Sequence, residues 1–546
     1  MIILIVHKNR QWFFVSGGLA MAWYEEAVFY HIYPLGLTGA PAKNPYSEPV
    51  QRLDTLHPWL EHIKALGCNA LYIGPLFQSV GHGYETTDYY TLDGRLGTNE
   101  TLKRFVRRAH ELGIRVVLDG VFNHVGRDFF AFRDLLLHRE DSGYTDWFCH
   151  VNFRGNNRFG DGLRYDNWGG DDALVKLNQK NPAVRDYICD VIRFWVREFD
   201  IDGIRLDAAD VLDHGFMQAL RCVANEVKPQ FWLMGEVIHG NYSLWVNDRT
   251  LHCVTNYQLH QALFSGHNSS NYFEIAHTVD RMNSMGLRLY NFVDNHDVER
   301  IYSKLRNKAH FVPVHILLYT LPGVPSVYYG SEFGIEGRKV PGSDAPLRPA
   351  LCLDHFGQND LAGFIAALGR IRQSTGVLSY GDYQQLHLTN TQYAFSRSCG
   401  QWDVPVAVNS ESRPVSMRLP VKGSAYVGAL SGVRAVAQNG WLHITLAANS
   451  GEIWLPENMN GKEITPVIAQ AQQKLPQTAP TVEVRQKPSA AVAAPAGKPY
   501  EHMTVPELRQ AILDKMAKNG PVTEQMRQDV MENRWRDSLL TWVKSF

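Results

Sequence analysis

Between residues 27 and 335, short apolar runs rich in Val, Ile, Leu and aromatic residues alternate with stretches whose apolar positions recur every three or four residues. The short runs read as strands buried on both faces, and the longer stretches as helices that lay one apolar stripe on them. Eight strands are predicted, over 28–33, 70–76, 115–121, 203–206, 231–237, 253–257, 287–293 and 324–329. Helical windows cover 98–112, 182–199 and 213–227; the first opens at Thr98 and stops before Gly113, with a cap at each end. Eight βα units in this span predict an α/β fold, a TIM (β/α)8 barrel over 27–377 whose site sits at the C-terminal ends of its strands.

The pattern breaks in four places. Residues 125–180, after the third strand, hold Phe153-Arg154-Gly155-Asn156-Asn157 and Trp168-Gly169-Gly170-Asp171-Asp172 instead of a helix, and a connection that long in a barrel is usually functional. They read as a small inserted subdomain overhanging the catalytic face. From 378 to 460, short alternating runs such as Val404-Pro405-Val406-Ala407-Val408 and Trp441-Leu442-His443-Ile444-Thr445-Leu446 predict an antiparallel β-sandwich. Residues 461–500 are a Pro/Ala-rich linker. The last stretch, 501–546, opens with Thr504-Val505-Pro506-Glu507 in the form of a capping box and puts Leu508, Ile512 and Met516 on one face. This helical tail is too short for a secure core of its own, so it is expected to dock on the barrel or to join a homo-oligomer. At the other end, residues 1–26 read as an N-terminal extension.

Composition narrows the partners. With 54 Lys and Arg against 55 Asp and Glu, the net charge of −1 offers no field for nucleic acid or an anionic membrane. The apolar run 1–6 meets His7, Lys8, Asn9 and Arg10 at once, the wrong order for a secretory signal, and no later run is long enough to span a bilayer. Seven scattered Cys, odd in number and never CxxC, fit a reduced, metal-free protein of the cytoplasm.

Ionisable residues gather where the barrel would collect them. The predicted strand ends read Asp119-Gly120-Val121-Phe122-Asn123-His124, Arg205-Leu206-Asp207, Gly235-Glu236-Val237 and Asp294-Asn295-His296-Asp297. Three carboxylates, Asp207, Glu236 and Asp297, would then face one pocket. Acetal hydrolysis needs such a pair across the scissile bond, one acid to protonate the leaving oxygen and one carboxylate to attack the oxocarbenium-like carbon. Arg205, two residues before Asp207, shares its side of the strand and would keep that carboxylate ionised.

These four segments, in this order and each at a strand end, resemble the signature regions of the α-amylase family, glycoside hydrolase family 13. The resemblance covers about residues 27–350 and extends in part into the sandwich. It implies that Asp207 is the nucleophile, Glu236 the general acid/base and Asp297 the stabiliser of the transition state. It places Arg205, His124 and His296 around the cleaved sugar, Tyr84 where the family has a stacking tyrosine, and Asp88 where a structural or substrate-contacting aspartate is usual; His82, two residues before Tyr84, is a further candidate contact. It implies retention of the anomeric configuration by double displacement. Leu174-Val175-Lys176-Leu177-Asn178 is similar to a motif of the neopullulanase, cyclomaltodextrinase and maltogenic amylase group, which points to maltooligosaccharides, cyclodextrins or related α-glucans. Ala208-Ala209-Asp210-Val211 departs from many α-amylases, which have Lys-His at the last two positions.

No cofactor is required by this chemistry. Asn123 stands where many relatives bind structural calcium, but the insert lacks a dense set of oxygen ligands, so calcium is not predicted. An α-glucan transglycosylase on the same scaffold and a silent sugar-binding or partner-binding barrel are the alternatives. For Asp119 a supporting role is expected, for Trp147, Phe153 and Trp168 a place in the insert's core, and for Asp344 and Arg348 an ordinary surface ion pair.

Overall fold

A computed structural model describes residues 22–459, 505–519 and Val530. Residues 1–21, the 461–500 linker and most of the expected tail lie outside the described residues.

Eight parallel strands share one sheet: β1 (Phe29–Ile32), β2 (Ala70–Ile73), β3 (Arg115–Gly120), β4 (Gly203–Leu206), β5 (Trp232–Gly235), β6 (Cys253–Val254), β7 (Tyr290–Phe292) and β8 (Val324–Tyr328). Their spatial order is β6-β5-β4-β3-β2-β1-β8-β7. Thr255, just past β6, bridges Tyr290 in β7 and closes the ring, and Asn256 N–H donates to the Tyr290 carbonyl at 2.9 Å. This is the TIM barrel the apolar runs predict.

Strand alternation divides the core in two. Phe29, Ala70, Tyr72, Val117, Trp232, Met234 and Phe292 fill the barrel, while Val28, Tyr30, Ile32, Leu71 and Ile73 pack outward with the helices. Phe29 and Trp232 stack at 5.0 Å, and the turn Trp23–Glu25 lays Tyr24 on Trp232 at 6.2 Å. Trp23 also donates its indole N–H to the Gln230 carbonyl at 3.0 Å. Packing of the barrel therefore begins at Trp23, inside the stretch that the sequence pattern assigns to an extension. Two isolated aromatic residues carry no periodic signal, so nothing in the pattern marked them as a plug.

The helices that matter for the site are α1 (Asn99–Glu111), α2 (Pro182–Phe199), α3 (His214–Val227), α4 (Tyr257–Asn268), α5 (Phe311–Thr320) and α6 (Asp360–Ser374). Their starts follow capping chemistry. Thr98 N–H donates to Thr101 Oγ1 at 3.1 Å at the head of α1, Asn181 accepts from Ala183 N–H before Pro182, and Asp213 accepts from Phe216 N–H at 3.0 Å. Helix α5 is buried on every side because the barrel lies on one face of it and the C-terminal strands Trp402–Asn409 and Ser450–Pro456 on another. A helix apolar all round shows no amphipathic stripe.

Two connections rise over the C-terminal end of the barrel. Strands Phe77–Ser79 and Thr86–Leu92 form a hairpin after β2, and after β3 the insert builds a three-stranded antiparallel sheet from His124–Gly126, Asp171–Lys176 and Asn167–Trp168 with helix Phe130–His138. They touch directly: a Cβ on Gly126 would fall 2.6 Å from the Glu85 carbonyl oxygen. Beyond α6, a six-stranded antiparallel sheet faces the pair Val415–Pro420 and Trp441–Leu446. Ala394, Ala407, Leu419, Tyr426, Leu442 and Trp454 make the core between them, a β-sandwich. In helix α7 (Val505–Asn519), Leu508, Ala511 and Ile512 are buried. Among the described residues no helix is long and apolar enough to cross a membrane.

His315 lies inside α5 with Nδ1 on the Phe311 carbonyl at 2.8 Å and Nε2 without a protein partner. Burial holds this imidazole down at about 4. The unfolded chain takes up the proton near 6.5, so its contribution to stability is intact above that pH and is lost as pH falls toward 4. His315→Met should therefore gain on the parent by about 2 kcal/mol between pH 7.5 and pH 5.0. Urea unfolding of both proteins at the two pH values checks this, and a pH-independent difference would contradict it.

Candidate active site

The centre of the site is built by β3, β4 and β5. Asp119 and Arg205 are register partners on neighbouring strands, and Arg205 and Asp207 project to the same side of β4. The buried Arg205 guanidinium donates through Nη1 to Asp119 at 2.8 and 3.1 Å and to Asp207 at 2.9 Å. Its Nη2 pairs with Glu236 at 2.7 Å. One cation thus meets three carboxylates. The hydroxyls of Tyr72 and Tyr84 donate to Asp119 at 2.9 and 3.1 Å, so Asp119 anchors both the arginine and the tyrosine from the hairpin.

Glu236 is held from the acceptor side of the pocket. Gly235 lets β5 end hard against its neighbours, since a Cβ there would stand 2.4 Å from Leu251 Cδ1 and 2.8 Å from Ala209 Cβ. After Asp207 the chain turns through Ala208 in the left-handed region, at φ 47°, which aims the Ala208 N–H at Glu236 Oε2 at 3.2 Å. The Tyr257 hydroxyl, at the start of α4, donates to the other oxygen at 3.1 Å, and Asn295 donates to that hydroxyl at 3.2 Å.

The third carboxylate comes from the turn after β7. Asn295 Oδ1 accepts from the N–H groups of Asp297 and Val298 at 2.8 and 3.0 Å, which fixes the backbone there. Asp297 then meets Arg348 at 2.8 Å and His296 Nε2 at 3.0 Å. The His296 ring lies between Tyr33 and Tyr84, each with its centroid 5.8 Å away and nearly parallel, and it also bonds the Tyr84 hydroxyl. On the insert side, His124 lies parallel to Trp168 at 6.3 Å, with its Nε2 buried and without a protein partner.

Electrostatics separate the acids. Burial lifts the Asp207 carboxyl well above its ordinary range; Arg205 opposes the lift, and Glu236, Asp119 and Asp297 add to it. Asp297 goes the other way. Burial pushes it up, but His296, Arg348 and Arg205 outweigh that and hold it well below the usual carboxylate range. Burial, with a smaller push from His82, keeps the His124 imidazole neutral at about 3. Asp210, three residues past Asp207, is lifted to about 7 by burial and by Glu236.

Of the residues singled out from the sequence, Asp207, Glu236, Asp297, Arg205 and His296 share this network with Tyr84, and His124 stands beside it. His82 sits at the rim, where its carbonyl accepts from Tyr33 and its ring pairs with Glu85 at 3.0 Å. Asp88 stands apart. Its carboxylate accepts from Tyr90 N–H at 2.8 Å and Thr91 Oγ1 at 2.6 Å within the hairpin, and it lines a different cavity. Tyr89, between Asp88 and Tyr90, is buried and bonds the Val121 carbonyl, so alternation turns Asp88 away from the barrel. Arg348 also differs from expectation. It reaches Asp344 only at 3.6 Å and is nearly buried against Asp297, which makes it part of the site and not a surface pair.

Three contributors carried little signal. Tyr33 and Tyr257 end predicted strand runs and so look like strand residues, and Arg348 follows β8 at no strand end. Asn123 offers a buried carboxamide oxygen without a hydrogen-bond partner among the described residues. Among the described residues no three His, Cys, Asp or Glu side chains gather to hold a metal ion.

Residues 52–405 match the family model described as alpha amylase, catalytic domain. A cyclomaltodextrinase from a Bacillus species is 31% identical over 424 residues, 73% of this chain and 75% of that protein. Neopullulanase 2 of Thermoactinomyces vulgaris is 31% identical over 461 residues, 79% of this chain and 78% of that protein. Among solved structures, a cyclomaltodextrinase superposes with a TM-score of 0.70 at 27% identity, covering 79% of this chain and 78% of that one.

Removing the shared cation leaves three buried carboxylates without a counter-charge. Arg205→Met should cost about 3–5 kcal/mol of stability at pH 7.5. The deficit should shrink at pH 5.5, because Asp207, already lifted by burial and then without its guanidinium, takes up a proton. Denaturant unfolding of variant and parent at both pH values measures this; an equal deficit at the two would show that the loss is packing and not charge.

Proposed function

The chain belongs to the α-amylase family and is an α-glucan hydrolase, and from that premise we propose that Asp207, Glu236 and Asp297 carry out a retaining double displacement on short α-glucans. Maltooligosaccharides and cyclodextrins are the substrates of this reading. The single observation that carries it is the Arg205 fork, which holds Asp207 and Glu236 on adjacent nitrogens. Two carboxyls on one guanidinium cannot stand far apart, and retaining pairs stand about 5–5.5 Å apart.

In the first step the Asp207 carboxylate attacks the anomeric carbon while Glu236 gives its proton to the departing glycosidic oxygen. The bond to the leaving sugar breaks as the glycosyl ester forms. In the second step Glu236 takes a proton from water, the oxygen of that water attacks the same carbon, and Asp207 leaves. The first step requires the Asp207 carboxyl ionised and a proton on Glu236. Arg205 opposes the lift that burial gives Asp207, and the Ala208 N–H and Tyr257 hydroxyl orient Glu236 through the exchange of leaving group for water. Asp297, kept ionised by Arg348 and His296, is placed to accept sugar hydroxyls. Tyr84 supplies a ring face, and the neutral His124 a free ring nitrogen, to the sugar that is cleaved. The name of the cyclomaltodextrinase relative supports small or cyclic α-glucans as substrates. Seven free cysteines fit action in the reducing cytoplasm.

Glu236→Gln should lower the rate on maltotriose about 10²–10⁴-fold. It should spare a substrate with a good phenolate leaving group much more, because that group needs no proton to depart. Near-parental cleavage of maltotriose by the variant would end the assignment. A timed product profile from maltoheptaose, β-cyclodextrin, pullulan and isomaltose, with Asp207→Asn as blank, reads the substrate class. Products longer than the substrate would mean transfer to sugar instead of water, and the anomer first released, read by NMR, should be α.

A further inference from the structure

A cavity of about 720 Å³ lies on the flank of the barrel, between the hairpin after β2, the first helix of the insert and the start of α2. Its walls are aromatic. Tyr90 and Tyr187 have ring centroids 5.9 Å apart, Phe130 and Tyr187 5.6 Å, and Trp147 backs both Phe130 and Tyr187 at 5.7 and 5.5 Å. Its polar side chains besides the tyrosine hydroxyls are Gln78, Thr87, Asp88, Asp128 and Arg133.

Tyr46 closes the rim in an unusual way. It is a non-glycine residue at φ 49° and half of it is exposed. Asn44 holds it there, accepting from Tyr46 N–H at 3.0 Å and donating to the Ser79 carbonyl at 3.0 Å. A left-handed backbone costs a tyrosine energy, and here the strain presents a ring to solvent. Phe130, on the other side, is 43% exposed. Neither ring completes the core. Asp88 is already fixed by two hydrogen bonds inside the hairpin, which leaves part of its acceptor capacity for a third group.

We propose that this cavity is a second, non-catalytic carbohydrate site that holds a stretch of neutral α-glucan on Tyr46, Tyr90, Phe130 and Tyr187; the identity of the glucan rests on the function proposed above. The chemistry selects a sugar. Aromatic faces take the apolar C–H face of a hexose, and the carboxylates, amide and guanidinium at the edge match hydroxyls, which donate and accept at once. Two carboxylates against one guanidinium disfavour an anionic ligand. The polar edge and open rim disfavour a lipid tail. Asp88, which the network around Asp207 does not include, finds its use here.

The test uses the full chain carrying Asp207→Asn, titrated calorimetrically with maltoheptaose. Two binding events are expected. Adding Tyr46→Ala should weaken one of them about tenfold and leave the other unchanged. Arg133→Ala, which removes an exposed side chain, should weaken the same event and guards against a folding artefact at position 46. In the catalytically intact enzyme, Tyr46→Ala should slow turnover of long amylose at low concentration several-fold and keep turnover of a short chromogenic maltoside within about twofold. A single binding event, or two events untouched by both substitutions, would overturn the proposal. Loss of Tyr46-dependent binding with normal hydrolysis of α-glucans sinks only this site; Tyr46-dependent binding in a protein that hydrolyses no α-glucan sinks only the catalytic reading.

Discussion

The site depends on one buried cation. Arg205 faces Asp119, Asp207 and Glu236 from the middle of β4, and none of those acids could stay buried and ordered together without it. Transfer of a charge into the interior is tolerated when it is paired and hydrogen-bonded, and the guanidinium satisfies that for three partners because its donors lie in one plane. A lysine in its place would supply the charge without the fork. The barrel supplies the rest: register sets Asp119 beside Arg205, and alternation sets Asp207 beside both.

A second layer keeps the first in place. Asp119 does no chemistry in the mechanism, yet it ties Arg205 to Tyr72 and Tyr84 and so connects β2, β3, β4 and the hairpin. Asn295 serves the turn after β7 in the same manner, bonding two backbone N–H groups and the Tyr257 hydroxyl that rests on Glu236. Such groups hold the acids in the narrow range of positions that the proposed displacement at carbon requires.

Much of this was legible in the residues because barrel geometry converts strand ends into neighbours. Arg205-Leu206-Asp207, Glu236 and Asn295-His296-Asp297 were marked by that rule alone. What escaped it had physical reasons. Tyr33 and Tyr257 are apolar enough to pass for strand, Arg348 arrives from a long connection, and Trp23 and Tyr24 plug the barrel without any period. Helix α5 hid because both of its faces are covered. Asp88 misled for the opposite reason: it lies four residues from Tyr84, and only the buried Tyr89 reveals that alternation points it outward.

The barrel is not laced evenly. β1 and β2 pair through four residues, as do β3 and β4, whereas β5 and β6 share two and the ring closes on a single bridge from Thr255 to Tyr290. Arg205 and Asp207 thus follow a strand paired through four residues on both sides, whereas β5, which leads to Glu236, pairs through four on one side and two on the other, beside the Tyr257 that bonds Glu236. In the mechanism proposed above, Asp207 attacks one carbon from one direction, while Glu236 serves first a departing sugar and then an arriving water. The backbone is thus laced fully on both sides beneath the first group and more thinly on one side of the second, which sets Glu236 next to the least-paired seam of the ring.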